Sequence, residues 1–169
     1  MKYIRLALIL LFCCTALSSS AQFETAYIGV NGLTCSQCTR TVEMSLRKLD
    51  FVSDVQMNLQ HTEGKIILKK DKKADMDRIA QAVIDAGFSL RYLTADLAID
   101  ISVIPSASCL IYKGDGFVLS HAPKEPLKGT VKLKFIGKKF MTKNELKKMP
   151  ANTDPGCPGI TGKTYYVAI

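Results

Sequence analysis

The chain has 169 residues and a formal net charge of +8 at pH 7. This length admits one ordinary domain or two small ones. The lysines are scattered, with no basic run longer than a pair, so a solvated surface is favoured over an acidic partner or a membrane surface. The secretory leader described next argues against a nucleic-acid partner.

The first 21 residues have the pattern of a secretory signal peptide. Two basic residues precede an apolar stretch over 6–17, and small residues before Gln22 provide a cleavage site. The apolar stretch is shorter than the roughly 20 residues that a membrane-spanning helix needs. No small residue stands before Cys13 or Cys14, so a lipoprotein and an uncleaved anchor are both less favoured. We therefore predict a secreted protein of the bacterial periplasm that is not inserted in the membrane after cleavage.

Residues 22–94 are predicted to form a first domain with the ferredoxin-like plan. Strand patterns cover 24–30, 55–59, 65–69 and 88–93, and one helical pattern covers 36–49. A second helix begins after Asp75, a favoured N-cap residue, and ends at Gly87. The element order β-α-β-β-α-β is that of an antiparallel four-stranded sheet with two helices on one face.

The first helix is preceded by the sequence GLTCSQC, in which Cys35 and Cys38 are separated by two polar residues. The loop and the helix N-terminus favour the thiolate form of both side chains, because unpaired N–H groups and the helix dipole lie there. Two thiolates suit Cu(I), which accepts few, soft ligands. Zinc needs four ligands, or three and a water, and no histidine or carboxylate lies between Asn31 and Thr41 to complete such a set.

Residues 23 to 93 resemble the heavy-metal-associated domain family, which includes copper chaperones, the N-terminal modules of copper-transporting ATPases and the periplasmic mercury-binding protein. Four residues match the family motif Gly-Met-Thr-Cys-x-x-Cys at its spacing: Gly32, Thr34, Cys35 and Cys38. The resemblance implies one soft metal ion between the two cysteines. Cu(I) is the first choice, and Hg(II) and Zn(II) are the alternatives.

Other positions bear on the resemblance. Leu33 replaces a methionine that packs inward in the family, and this exchange conserves volume. By resemblance, Thr34 is typical of copper-binding members, and Phe88 matches an aromatic residue that ATPase-type domains place beneath the metal loop. His61 lies in the predicted turn between the second and third strands, at the same end of the fold, and is interpreted as a surface histidine.

Residues 95–169 are predicted to form a second, mainly-β domain: a small barrel or sandwich, with an oligonucleotide-binding-type topology as one option. Strand patterns cover 97–104, 108–112, 116–120, 129–136 and 163–169, and a short helix with a capping box covers 142–149. This half holds eleven lysine and arginine residues against six aspartate and glutamate residues, whereas residues 22–94 hold ten against nine.

Removal of the leader leaves a second pair of cysteines, Cys109 and Cys157, in an oxidising compartment. A disulfide between them is favoured over two free thiols. A second copper site that adds His121, Met141 or Met149 is the least favoured alternative.

The sequence therefore predicts a non-enzymatic protein that binds Cu(I) between Cys35 and Cys38. It would exchange the ion by thiolate transfer with a donor or acceptor protein, such as a copper transporter or chaperone. Three alternatives stay open: a mercury scavenger with the same cysteines, a thiol–disulfide redox protein, and an interaction module that binds no metal.

Overall fold

The computed structural model describes residues 22–103, 108–121, 123, 126–148, 157 and 159–169. The predicted signal peptide and Met149 lie outside these residues. The elements in chain order are β1 (Gln22–Asn31), α1 (Ser36–Arg47), β2 (Val52–Asn58), β3 (Glu63–Leu68), α2 (Met76–Asp85), β4 (Ser89–Val103), β5 (Cys109–Tyr112), β6 (Asp115–Leu119), β7 (Leu127–Ile136), α3 (Lys143–Lys148) and β8 (Thr164–Ala168). Within this part of the chain, no helix combines the length and the hydropathy that crossing a membrane requires.

The first six elements form the predicted ferredoxin-like arrangement. Four antiparallel strands lie in the order β2-β3-β1-β4. One face of each helix is buried in the common core, for example Leu46 of α1 and Ile79 of α2, together with Ile28 and Ile66 of the sheet. The periodic apolar positions therefore face the sheet, as their spacing predicts.

The end of α2 shows how the sequence fixes the chain direction toward the metal loop. Gly87 has φ of +88°, and its N–H donates to the carbonyl of Ile84 at 2.9 Å. The next N–H, of Phe88, donates to the carbonyl of Val83 at 3.1 Å. These two bonds form a Schellman motif, which only a residue tolerant of positive φ closes without strain. The motif places Phe88 directly before β4.

The prediction of two strands, 88–93 and 97–104, is wrong, because one strand runs from Ser89 to Val103. Buried residues alternate without interruption along it, from Leu93 to Ile99. Residues 94–98 pair with β1 on one side and with β7 on the other. The gap predicted between these two strands is therefore absent, because residues 94–98 have hydrogen-bonded partner strands on both edges.

The strands of the second half extend this same sheet, whose full order is β2-β3-β1-β4-β7-β8-β6-β5. Neighbouring strands are antiparallel except β6 and β8, which are parallel. The predicted second, mainly-β barrel or sandwich is not confirmed as a separate unit, because the described strands of both halves belong to one sheet. The division of the chain into two folding units stays a prediction.

An aromatic core shows that the extended sheet is strongly curled. Three strands separate β1 from β6 in the sheet, yet the Phe23 ring of β1 lies 5.5 Å from the Phe117 ring of β6. Phe23 also packs edge-on against Tyr112 of β5 at 5.2 Å. Phe117 in turn stacks on Tyr165 of β8 at 5.4 Å. The curl buries the start of β1 under strands of the second half.

Candidate metal centre

The loop between β1 and α1 is held in place by its first two residues, Gly32 and Leu33. Gly32 has φ of +86°, a conformation that favours glycine. A Cβ on Gly32 would lie 3.7 Å from the Phe88 ring, so that ring lies beside the loop, consistent with the position that the resemblance implies. Leu33 is buried, with 4% of its surface exposed, as the family resemblance predicts for this position. Leu33 therefore anchors the loop while the residues after it stay at the surface.

Cys35 is the N-cap residue of α1. Its backbone is extended, and its Sγ accepts a hydrogen bond from the N–H of Cys38 at 3.2 Å. The Thr39 hydroxyl donates to the carbonyl of Cys35, also at 3.2 Å. Cys35 is exposed, whereas Cys38 is half-buried and packs against the core. The sulfur atoms therefore lie where the N–H groups of the first helical turn stabilise negative charge.

Cys35 and Cys38 form a disulfide, with their Cα atoms 5.3 Å apart. This is the closed state that an oxidising compartment favours. A disulfide sulfur has no thiolate lone pair to give a metal ion, so metal binding requires reduction by two electrons. After reduction, the same short separation leaves both thiolates within reach of one ion.

The donor set fits a two-coordinate soft ion. In the described part of the chain, no three residues among histidine, cysteine, aspartate and glutamate come together as a ligand group. His61 is exposed on the β2–β3 turn. That turn does lie at the metal-loop end, because the carbonyl of Thr62 accepts from the N–H of Val30 at 2.9 Å. The site thus offers two sulfurs, which suits Cu(I) and Hg(II) better than zinc.

The sequence did not single out Arg91, which joins the ends of three strands near this loop. Its guanidinium donates to the Thr62 hydroxyl and to the carbonyl of His61, each at 3.1 Å. It also lies 3.4 Å from a carboxylate oxygen of Glu63. The sequence signal that could have indicated this role is a charged residue, Arg91, within the mostly apolar predicted strand 88–93. Arg91 fixes the β2–β3 turn beside the end of β1.

The second pair of cysteines is also joined: Cys109 and Cys157 form a disulfide, with their Cα atoms 5.6 Å apart. This confirms the favoured pairing. His121 is exposed, and its Nδ1 lies 3.2 Å from the Ser120 hydroxyl. With both sulfurs in a covalent bond, the described residues do not assemble the alternative second copper site.

Comparison with known proteins places the first half of the chain in a family. Residues 28–89 match the heavy-metal-associated domain family. Over 68 residues, the chain is 32% identical to the mercuric transport protein periplasmic component of Shigella flexneri. This alignment covers 40% of this chain and 74% of that protein. Over 67 residues, it is 34% identical to the copper chaperone CopZ of Bacillus subtilis, covering 40% of this chain and 96% of the chaperone.

A solved structure of oxidised MerP from Ralstonia metallidurans is also similar, with 28% identity and a TM-score of 0.35, over 43% of this chain and 99% of that one. The matched relatives and the fold define a class of small domains that bind heavy metals. The chain belongs to the heavy-metal-associated domain family through residues 28–89.

Proposed function

We propose that the protein is a periplasmic carrier of a soft metal ion, with Cu(I) as its first cargo, and that it is not an enzyme. The observation that supports this is the pair Cys35 and Cys38, held at the start of α1 on an exposed loop in a chain of the heavy-metal-associated family. Thr34, the residue before the pair, is exposed and supports copper through its resemblance to copper-binding members.

The proposed cycle begins with the disulfide. A dithiol reductant supplies two electrons and two protons, becomes a disulfide itself, and leaves Cys35 and Cys38 as thiols. Both thiols lose their protons when the two sulfurs take the ion. Because Cys35 is exposed, thiolates of a partner can approach the ion, form a three-coordinate intermediate and displace Cys35 and then Cys38. The partner is a metal donor or acceptor, such as a transporter or another chaperone.

Mercury is the second candidate cargo. Several relatives at about 30% identity are named as the periplasmic component of mercuric transport, including those of Shigella flexneri and Serratia marcescens. These names also support the periplasmic location proposed here. A Hg(II) ion would use the same two sulfurs, so the fold and the site are shared and only metal preference separates the two functions.

The test is a competitive titration of the reduced chain 22–169 with Cu(I) and with Hg(II), each against a chromogenic chelator. We expect one tight equivalent that is lost in the double variant Cys35→Ser/Cys38→Ser. The matched control is Cys109→Ser/Cys157→Ser, which removes the same number of sulfurs and leaves the loop intact. It is expected to retain the equivalent.

The outcomes separate the alternatives. Stronger retention of Hg(II) than of Cu(I), relative to thiol competitors in the buffer, would favour the mercury function. Equal weak binding in the wild type and in Cys35→Ser/Cys38→Ser would refute a metal carrier. Turnover of a dithiol substrate by the wild type, absent in that variant, would then favour a redox protein.

A further inference from the structure

A cleft lies between the metal-loop end of the first half and the β7–α3 segment of the second half, and it encloses about 430 Å³. Its apolar lining includes Ile84, Leu90 and Met141. On the first half it is bounded by Asn31 and Ser89, whose side chains are joined by a hydrogen bond of 3.3 Å. Asn31 directly precedes the metal loop, so the cleft and the loop adjoin.

The second half contributes a row of positive charge to this cleft: Lys138, Lys139 and Lys143, all exposed. The Nζ of Lys139 lies 4.0 Å from a carboxylate oxygen of Asp77, which partly offsets its charge. Among the described residues, no carboxylate lies within that distance of Lys138 or Lys143. The cleft is therefore cationic at its rim and apolar within.

These lysines are carried by a firmly packed segment. Phe140 and Met141, which lie between Lys139 and Lys143 in the sequence, are buried, with 7% and 4% of their surface exposed. The Phe140 ring lies 5.6 Å from the Phe135 ring. The N–H of Glu145 donates to the Thr142 hydroxyl at 3.3 Å, and that hydroxyl donates to the Glu145 carboxylate at 3.1 Å. This capping interaction fixes the start of α3. The backbone that carries these lysines is therefore ordered before a ligand binds, which lowers the entropic cost of binding.

We propose that this cleft binds an acidic, partly apolar segment of the protein that exchanges metal at the adjoining loop. Glutamate and aspartate side chains of the partner would pair with Lys138 and Lys143, and an apolar side chain would contact Ile84, which is 40% exposed. A concave, apolar site suits an extended protein segment better than a flat membrane surface. The inference rests on the proposed function only in naming the partner as a metal donor or acceptor.

The structure also changes the interpretation of the charge in residues 95–169. Its lysines look scattered in the sequence, yet the β7–α3 turn gathers three of them beside the metal loop. The positive electrostatic potential of these clustered lysines raises the association rate with an acidic partner, and added salt weakens this effect. The second half would thus select which protein reaches the loop, while the cysteines hold the ion.

The test is an NMR titration of the disulfide-intact, metal-free chain 22–169 with a short peptide of Glu-Glu-Leu repeats. We expect amide shifts at Ser89, Leu90 and Lys139, and an affinity about tenfold lower in Lys138→Glu/Lys143→Glu. The matched control, Lys70→Glu/Lys72→Glu, makes the same charge change on an exposed loop elsewhere. It is expected to lower the affinity by less than about threefold.

Equal loss of affinity in both double variants, or shifts that map outside the cleft, would overturn the proposal in favour of non-specific attraction. Binding of phosphatidylglycerol vesicles, but not of the peptide, through Lys138 and Lys143 would overturn it in favour of a membrane surface. A peptide with glutamine in place of glutamate is expected not to bind. The titration uses no metal, so a failed metal-binding test leaves its result unaffected.

Discussion

At the scale of single residues, Leu33 decides whether the metal loop keeps its shape, because it is the loop residue buried in the core. We expect Leu33→Met to change the free energy of unfolding by less than about 1.5 kcal/mol, since volume is conserved. Leu33→Ala is expected to cost about 2–3 kcal/mol, at the lower end for buried leucines because the loop can partly collapse. Urea denaturation of the oxidised proteins measures both. Equal costs for the two variants would show that Leu33 is not a packing anchor.

The two disulfides differ in accessibility, and reduction should distinguish them. Cys35 is exposed, whereas Cys157 is 6% exposed and Cys109 is half-buried. A thiolate reductant must reach a sulfur atom to attack it, so we expect the pair in the metal loop to be reduced first. Alkylation after brief treatment with a dithiol, followed by peptide mass spectrometry, measures the order. Faster labelling of Cys109 than of Cys35 would contradict this expectation.

Local spacing was sufficient to predict the cysteine loop, because a Cys-x-x-Cys before a helical stripe is defined within a few residues. The buried position of Leu33 also followed from the motif. Arg91 and the cleft lysines could not be found in this way, since their roles depend on which strands become neighbours. Lys138 lies far along the chain from Asn31, and only the sheet order brings the two to one cleft.

At the scale of elements, the junction between α2 and β8 joins the two halves through charge. The Asp75 carboxylate caps α2 by accepting from the N–H of Arg78 at 3.2 Å. It also accepts from Lys163 Nζ at 2.8 Å and from the Tyr165 hydroxyl at 3.3 Å. The Asp75 side chain therefore caps the N-terminus of α2 and also binds Lys163 and Tyr165 at the start of β8.

Replacing this carboxylate should separate its two roles. Asp75→Asn keeps a good N-cap but loses the ion pair, so we expect a loss of about 1 kcal/mol or less for a partly exposed pair. Asp75→Ala loses the cap as well, and should cost about 1 kcal/mol more. Thermal and urea unfolding measure the difference. If the alanine and asparagine variants were equally stable, Asp75 would not cap α2.

The same junction has a defined pH dependence. Burial raises the pKa of Asp75, but hydrogen bonds from Lys163 and from the N–H of Arg78 outweigh it and hold the pKa below its usual value. Burial lowers the pKa of Lys163, and hydrogen bonds to Asp75 and Asp77 outweigh it and hold that pKa above its usual value. The stabilisation that the Asp75 carboxylate contributes to the folded state is thus complete above about pH 4 and is lost as the pH falls through its lowered folded pKa. The stabilisation that the Lys163 ammonium contributes is complete below about pH 10 and is lost as the pH rises through its raised folded pKa.

We therefore expect a stability plateau between these limits and a smaller acid-side decline in Asp75→Asn. Urea midpoints measured across the pH range test this. An acid-side decline of wild-type size in Asp75→Asn would assign it to other carboxylates.

The elements themselves were predicted closely, since helical and alternating apolar patterns are local signals. The exception is β4, where Thr94 and Ala95 looked like an interruption between two strands. These residues form strand because β1 and β7 supply hydrogen-bond partners on both edges. Pairing of this kind joins residues distant in sequence, and the same reason hid the order β4-β7-β8-β6-β5.

At the scale of the whole molecule, this shared sheet raises the question of whether residues 22–94 fold independently. The Phe23 side chain is 2% exposed, and it packs on Tyr112 and Phe117, which belong to the second half. Ending the chain at residue 94 would remove both rings and also the β7 partner of β4. Exposing Phe23 alone costs about 2 kcal/mol by its apolar area.

We predict that the fragment 22–94 is less stable than the chain 22–169 and that Phe23→Ala reveals the reason. In the longer chain this substitution should cost about 3–5 kcal/mol, because it leaves a cavity among aromatic rings. In the fragment it should cost less than about 1 kcal/mol, because Phe23 has already lost those neighbours. Urea denaturation of the four proteins measures this cycle. Equal costs in both backgrounds would mean that Phe23 is buried by the first half alone, and would support two independent domains despite their common sheet.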